Sequence, residues 1–193
     1  MSDAKRAMAR PIQSPQPVPV GASRVLRARP AQPGDGVALA IKLRDDDIRE
    51  LIAGGVAGPY FDLEEACAPG RFTVAGVNEW DYPQLLFGTD SQISFQTWGP
   101  SIAVWMLAAE GIERYALQLA RQSRPYVQSL LRAHGPGVAG HNMVDARNAL
   151  HIRWLKWCGA VFTGNEYFPT DTALPFLEFY IPQCANPYIS PQA

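Results

Sequence analysis

Residues 144–159 read VDARNALHIRWLKWCG, and this stretch decides the fold. Asp145 and Asn148 are both residue types that cap a helix N-terminus through a side-chain oxygen. Gly159 stands where a helix closes in a left-handed turn. The residues between carry no glycine or proline, which predicts an ordinary helix. Ile152, Leu155 and Cys158 share an apolar stripe at spacing three, widened by Leu150, Trp154 and Trp157, and Arg153 and Lys156 share the polar remainder. A face that wide belongs against a sheet. HNMVDA before it, and AVFTGNEYF and FLEFYIP after it, read as strands. Strand, helix, strand, strand is the pattern of an α/β layer fold.

Upstream, SIAVWMLAA at 101–109 is a nearly continuous apolar run and reads as a central strand covered on both faces. The segment 112–135 follows as the longest helix, with apolar residues from Ile112 to Leu130 at spacings of three and four. Pro125 falls inside it and predicts a kink or break near Gln122 to Arg124. RFTVAGV and YPQLLFGT read as an antiparallel pair, and SQISFQTWGP as a turn-rich link. VALAIKL at 37–43 reads as the first strand. Asp45, Asp46 and Asp47 then cap a helix that ends at Gly54 and Gly55, and YFDLEEAC is a short second helix.

At 193 residues, 47% apolar, the chain suits one domain with tails. A net charge of -1 excludes a nucleic-acid binder that is basic over its whole surface. Cys67, Cys158 and Cys184 have no disulfide or metal spacing, alone or with His134, His141 and His151, and suggest a reducing compartment. No apolar run has membrane-spanning length, so no membrane partner is expected. Residues 1–36 form a separate block: prolines at 11, 15, 17, 19, 30 and 33 and an excess of arginine describe an extended basic arm. Val18, Val20, Val25 and Leu26 are its candidate partner-binding anchors, and Arg24, Arg27 and Arg29 suit acidic or phosphate groups. The folded domain is expected over 37–181, with a short tail over 182–193.

This order of elements resembles the GCN5-related N-acetyltransferase fold, an α/β domain with a mixed central sheet. Asn148, Ile152 and Gly159 stand at the offsets of that family's last signature. More closely, VDARN followed by IRWL and a closing glycine is similar to acetyltransferase-like virion proteins of short-tailed phages. The resemblance implies a fold over about 38–181, with the strand at 102–108 beside the one holding Met143 and Val144, the two splaying at their C-terminal ends.

The family holds the pyrophosphate of acetyl-CoA on a glycine-rich turn after the central strand. Here the turn reads Leu107-Ala108-Ala109-Glu110-Gly111-Ile112, with one glycine and a carboxylate. The tyrosine that many members use as general acid is Leu155, and the aromatic after the closing glycine is Ala160. Tyr115 and Tyr126 could supply a hydroxyl. Cys158 with His151, seven residues apart, reads as helix packing, as do most of the tryptophans. These departures imply no tightly held cofactor, no catalytic residues and no metal. The resemblance therefore implies a non-catalytic structural component of a phage particle, present in multiple copies in a symmetric assembly. It would contact portal, adaptor or tail proteins and packaged DNA, in the virion and, during assembly, in the host cytoplasm. An active N-acetyltransferase using acetyl-CoA, or a small protein binding a host factor or DNA, are the alternatives.

Overall fold

The computed structural model describes residues 25–56, 58–169 and 173–184. Among them a seven-stranded mixed sheet runs in the order β1-β2-β3-β4-β5-β7-β6. The strands are β1 (Arg27–Pro30), β2 (Phe72–Val77), β3 (Pro83–Gln96), β4 (Gly99–Ala108), β5 (Ala139–Asp145), β6 (Val161–Tyr167) and β7 (Phe176–Ile181). Three helices, α1 (Asp35–Ala40), α2 (Asp45–Ala53) and α3 (Pro59–Ala66), join β1 to β2. A 3-10 turn (Ile112–Tyr115) and α4 (Ala116–Ala133) join β4 to β5, and α5 (Ala149–Cys158) joins β5 to β6. All neighbouring strands pair antiparallel except β4 and β5.

Each face of the sheet carries its own core, because successive side chains of a strand alternate. Leu39, Leu43, Leu63, Cys67, Ala75, Val77 and Leu86 pack beneath α1–α3, joined by Trp105 and Leu107 of β4. Ile102, Val127, Leu131, Val144, Leu155, Cys158, Phe179 and Ile181 pack beneath α4 and α5. A smaller group on that second face, Leu26, Leu85, Ala108, Ile112 and Tyr115, sits at the start of α4. β4 is the central strand, as its unbroken apolar run requires.

The sequence expectations fail in four places. VALAIKL is not the first strand. Its start is helix α1, because Gly34 opens the turn with a positive φ of 93° and Leu39 and Ala40 are buried on one side. The first strand is Arg27–Pro30, inside the arm set at residues 1–36, and it pairs with β2 along its whole length. SQISFQTWGP is no turn-rich link. β3 continues through it to Gln96, with a register shift between Thr89 and Ile93 that absorbs the irregular pattern. The break that Pro125 allowed as one outcome is absent, helix α4 being continuous through it. Trp157, expected in the apolar face of α5, is 60% exposed, and Leu150 is exposed too.

The arm residues expected to bind a partner fall on both sides of the first described residue. Val18, Val20 and Arg24 lie outside the described residues, and Val25 is exposed. Leu26 is buried in the chain's own core, its N–H donating to Gln118 Oε1 and its C=O accepting from Gln118 Nε2, both at 2.7 Å. Arg27 reaches Asp81, and Arg29 is tied between Asp35 and Asp81. Leu26 and Arg29 are thus used inside the fold. Beyond β7, Gln128 donates to the Pro182 carbonyl and accepts from the Cys184 N–H, which fixes the start of the tail on α4.

Two outcomes are expected. A Cβ at Gly36 would stand 2.4 Å from backbone atoms of Leu63 and Glu64. Gly36→Ala should therefore push α1 off α3 and cost about 1–3 kcal/mol in denaturant unfolding. The second concerns acid. Asp145 is buried, and its Oδ1 accepts from the Arg147 N–H and Nε. Hydrogen bonding by Arg147, against the opposing effect of burial, holds its carboxyl below the ordinary aspartate value. The stabilisation is present above the unfolded pKa and is lost as pH falls through the lowered folded value. Asp145→Asn should flatten the acid limb of a stability-versus-pH curve; an unchanged limb would refute this.

Candidate functional site

The parallel pair β4 and β5 is in register for only three residues: Ser101 with Ala139, Ile102 with Gly140 and Ala103 with His141. β4 then runs on to Ala108 and β5 to Asp145 without pairing with each other. Asn142 stands where the ladder stops. Its Nδ2 donates to the Val104 carbonyl at 2.9 Å, and its Oδ1 accepts from the Met143 N–H at 2.8 Å. A side-chain amide thus takes the place of the next ladder bond and holds the strands apart. At the far end of β4 the Ala108 N–H donates to Asp47 Oδ2 at 2.9 Å, and the Ala108 carbonyl accepts from the Arg44 N–H. Asp47 was expected to cap α2 in solvent. It is instead buried against the strand, and burial pushes its carboxyl up. Strand alternation turns the peptide groups of Met106, midway between Val104 and Ala108, into the same gap.

The gap opens into a cavity of about 500 Å³. Val104 and Met106 line it on the α4 side, and Trp105 and Leu107 on the α2–α3 side, so the slot is bordered by side chains of both faces of β4. Leu119, Tyr126 and Val127 of α4 and Trp154 and Leu155 of α5 form further apolar wall. Trp154 is fixed there by its Nε1, which donates to Ser123 Oγ at 2.9 Å. Leu155, at the family's tyrosine position, is buried in the core and offers no hydroxyl. The two tyrosines considered from sequence separate. Tyr115 is buried beneath the start of α4, and burial pushes its hydroxyl pKa up. Tyr126 lines the slot.

A polar cluster also borders the slot. Glu50 of α2 accepts from Asn148 Nδ2 at 2.8 Å through Oε2, and the same oxygen is 3.6 Å from His151 Nδ1. Asn148 meanwhile caps α5, its Oδ1 accepting from the His151 N–H at 3.2 Å. One side chain therefore orders the helix start and orients the carboxylate. Both Glu50 and His151 line the slot and are largely sheltered from solvent. A carboxylate beside one ring nitrogen of a histidine is an arrangement that can serve general acid–base chemistry. Sequence reasoning weighed His151 only against Cys158. The Cys158 thiol is buried, and burial pushes its pKa up to about 12, so it is inert. No local signal pairs Glu50 with His151, because the contact joins two helices on opposite sides of the β5 end.

The turn after β4 bears on anion binding. Glu110, which looked hostile to a phosphate there, is turned away: its Oε1 accepts from the Asp45 N–H at 3.0 Å. The carboxylate caps α2 in place of a residue of that helix. Gly111 has a φ of 79°, and a Cβ there would stand 2.5 Å from Arg114 Nη2. A guanidinium therefore lies over the turn, anchored by its Nε to the Gly111 carbonyl at 2.9 Å. Among the described residues no group of His, Cys, Asp and Glu side chains could hold a metal ion.

No family model matches the chain, and no curated protein matches its sequence. Solved structures do match. The acetyltransferase (GNAT family) from Bacillus anthracis superposes with a TM-score of 0.57 at 12% identity, over 84% of this chain and 96% of that one. The spermidine N-acetyltransferase from Vibrio cholerae, solved with CoA and spermine, gives 0.54 at 15% identity, over 83% and 97%. At these identities the likeness is one of fold, and with the splayed β4 and β5 it shows that the chain has the architecture of the GCN5-related N-acetyltransferases.

Proposed function

We propose that the protein transfers an acyl group from an acyl-coenzyme A to an amine. The observation that carries this reading is the slot between β4 and β5, with the Glu50–Asn148–His151 cluster on its wall. The chain fits the cofactor in three respects. Between Asn142 and Asp47 the gap-facing edge of β4 is held open, leaving main-chain groups at Met106 for an amide-bearing arm. The walls are largely apolar. Arg114 supplies a cation at the turn where phosphates would lie, and Glu110 is engaged elsewhere. The expectation of no cofactor rested partly on Glu110 facing that position.

Acyl-CoA would supply the activated acyl group as a thioester. The residues of the chain then have separate tasks. Asn148 holds Glu50, and Glu50 sets its carboxylate beside Nδ1 of His151. Nε2 of His151 takes the proton lost by the amine as its nitrogen bonds to carbon. Val104, Leu119 and Trp154 exclude water that would compete for the acyl group. Tyr126 is the tyrosine on the slot wall that could return a proton to the departing thiolate.

A second reading, the phage structural component, keeps the support of the VDARN and IRWL motif and of Leu155 in the tyrosine position. In that reading the chain would contact a portal, adaptor or tail protein, and mass spectrometry of purified particles tests it. Absence of the chain from particles would end it.

Calorimetric titration with acetyl-CoA tests the leading reading. Binding with a dissociation constant of about 100 μM or tighter is expected, and none at about 1 mM would overturn it. Val104→Trp should fill the slot and abolish binding. Glu50→Gln and His151→Ala should leave binding intact and lower turnover of an amine panel by about 10²–10⁴-fold. Equal turnover in these variants would remove the two residues from the chemistry.

A further inference from the structure

The helical layer over the second face carries cations without compensating acids. α4 contains Arg121, Arg124 and Arg132, α5 contains Arg153 and Lys156, and neither helix contains an aspartate or glutamate. All five side chains are exposed, and among the described residues none makes an ion pair. In the strands, loops and other α-helices of the described residues the arginines are tied: Arg27 to Asp81, Arg29 to Asp35 and Asp81, Arg44 to Asp46 and Asp47, Arg49 to Asp46, Arg71 to Glu65, and Arg147 to Asp145. Among the described residues Lys42 and Arg114 also lack an ion pair, but five unpaired cations gather on this one helical layer.

Trp157 belongs to the same surface. Its Nε1 donates to the Ala120 carbonyl at 2.6 Å, so the indole is fixed across the junction of α4 and α5, yet it is 60% exposed. Arg121 and Arg124 flank Ala120 in sequence, and Arg153 lies one turn before Trp157. Lys156 is set apart, its Nζ over the Phe162 ring at 5.6 Å and Glu166 nearby across a shallow groove. The nearest acid in sequence on the α4 side is Glu113, in the 3-10 turn.

We propose that this face binds single-stranded nucleic acid, with Arg121, Arg124 and Arg153 on phosphates and the fixed indole of Trp157 stacking on a base. Unpaired guanidinium forks match phosphate oxygens. An immobilised aromatic with an open face is the other half of a single-strand platform, since every base presents a π-surface. A lipid surface would call for a broad apolar face beneath the cations. Here the large exposed apolar side chains of α4 and α5 outside the slot are Leu117, Leu150 and Trp157, single residues set among the arginines. An acidic protein would satisfy the arginines and leave the indole without a role. None of these residues lines the slot, so the proposal stands apart from acyl transfer.

The test is fluorescence anisotropy of a labelled oligothymidylate of about 20 nucleotides with the full chain, which keeps the basic arm in every variant. Affinity should fall with salt, with a logarithmic slope of about -2 for three phosphates on a single strand. Arg121→Glu with Arg153→Glu should weaken binding by about ten-fold or more and flatten that slope. Trp157→Ala should weaken it by about five-fold or more and leave the slope unchanged. Circular dichroism and acetyl-CoA titration of the same variants report whether the fold and slot are intact. Wild-type affinity in the double charge reversal would assign binding to the arm and overturn the proposal. So would an unchanged affinity in a folded Trp157→Ala, or displacement of the oligonucleotide by polyglutamate or by vesicles of anionic lipid at equal charge.

Discussion

The parting of β4 from β5 is the constraint on which the rest of this structure depends. Two parallel strands in the middle of a sheet would ordinarily pair to their ends, because unpaired peptide groups in a protein interior are costly. Here the chain separates them after three residues and gives the groups at each end of the gap other partners. Asn142 takes the Val104 carbonyl, and Asp47 takes the Ala108 N–H. Gly140 permits the approach just before the split, since a Cβ there would stand 2.9 Å from Val104 Cγ1. The result is a slot bordered by both faces of β4, in a sheet that is otherwise continuously bonded from β1 to β6.

Charged residues close this arrangement rather than decorate it. Asp47, Arg44 and Glu110 form a small exchange between α2 and the end of β4: each satisfies a backbone group or a charge of the other element. Arg29, with Asp35 and Asp81, does the same for β1, α1 and the β2–β3 turn. Asp81 itself has a positive φ of 64°, uncommon for a residue with a side chain, and its two arginine contacts hold it in that turn. These pairs act by fixing the relative positions of elements, whereas the arginines of the α4–α5 layer go unmatched among the described residues.

The placement of Asn148 links fold and candidate chemistry. A helix cap needs an acceptor at the first turn, and the amide supplies it with Oδ1 while its Nδ2 remains for Glu50. The same residue therefore fixes the start of α5, the orientation of a carboxylate on another helix, and through it the environment of His151. Its cap role was legible from the sequence around it. The second role was not, because Glu50 lies in a different helix and nothing in its own neighbourhood marks it out from other solvated carboxylates.

The sequence by itself determined the strands β2, β4, β5, β6 and β7, the helix α5 between Asn148 and Gly159, and the central position of β4. Each is written in local period, in capping residues, or in an unbroken apolar run. Tertiary structure decided what local pattern leaves open. VALAIKL is compatible with a strand or a helix, and packing of Gly36 against α3 selects the helix. Arg27–Pro30 carries proline and arginine, and only the free edge of β2 makes it a strand. Pro125 removes one hydrogen bond from α4, and the packing of its flanks keeps the helix whole. The slot, the Glu50–His151 contact and the turned-away Glu110 all depend on residues far apart in the chain, which only the folded arrangement of α2 against the ends of β4 and β5 brings together.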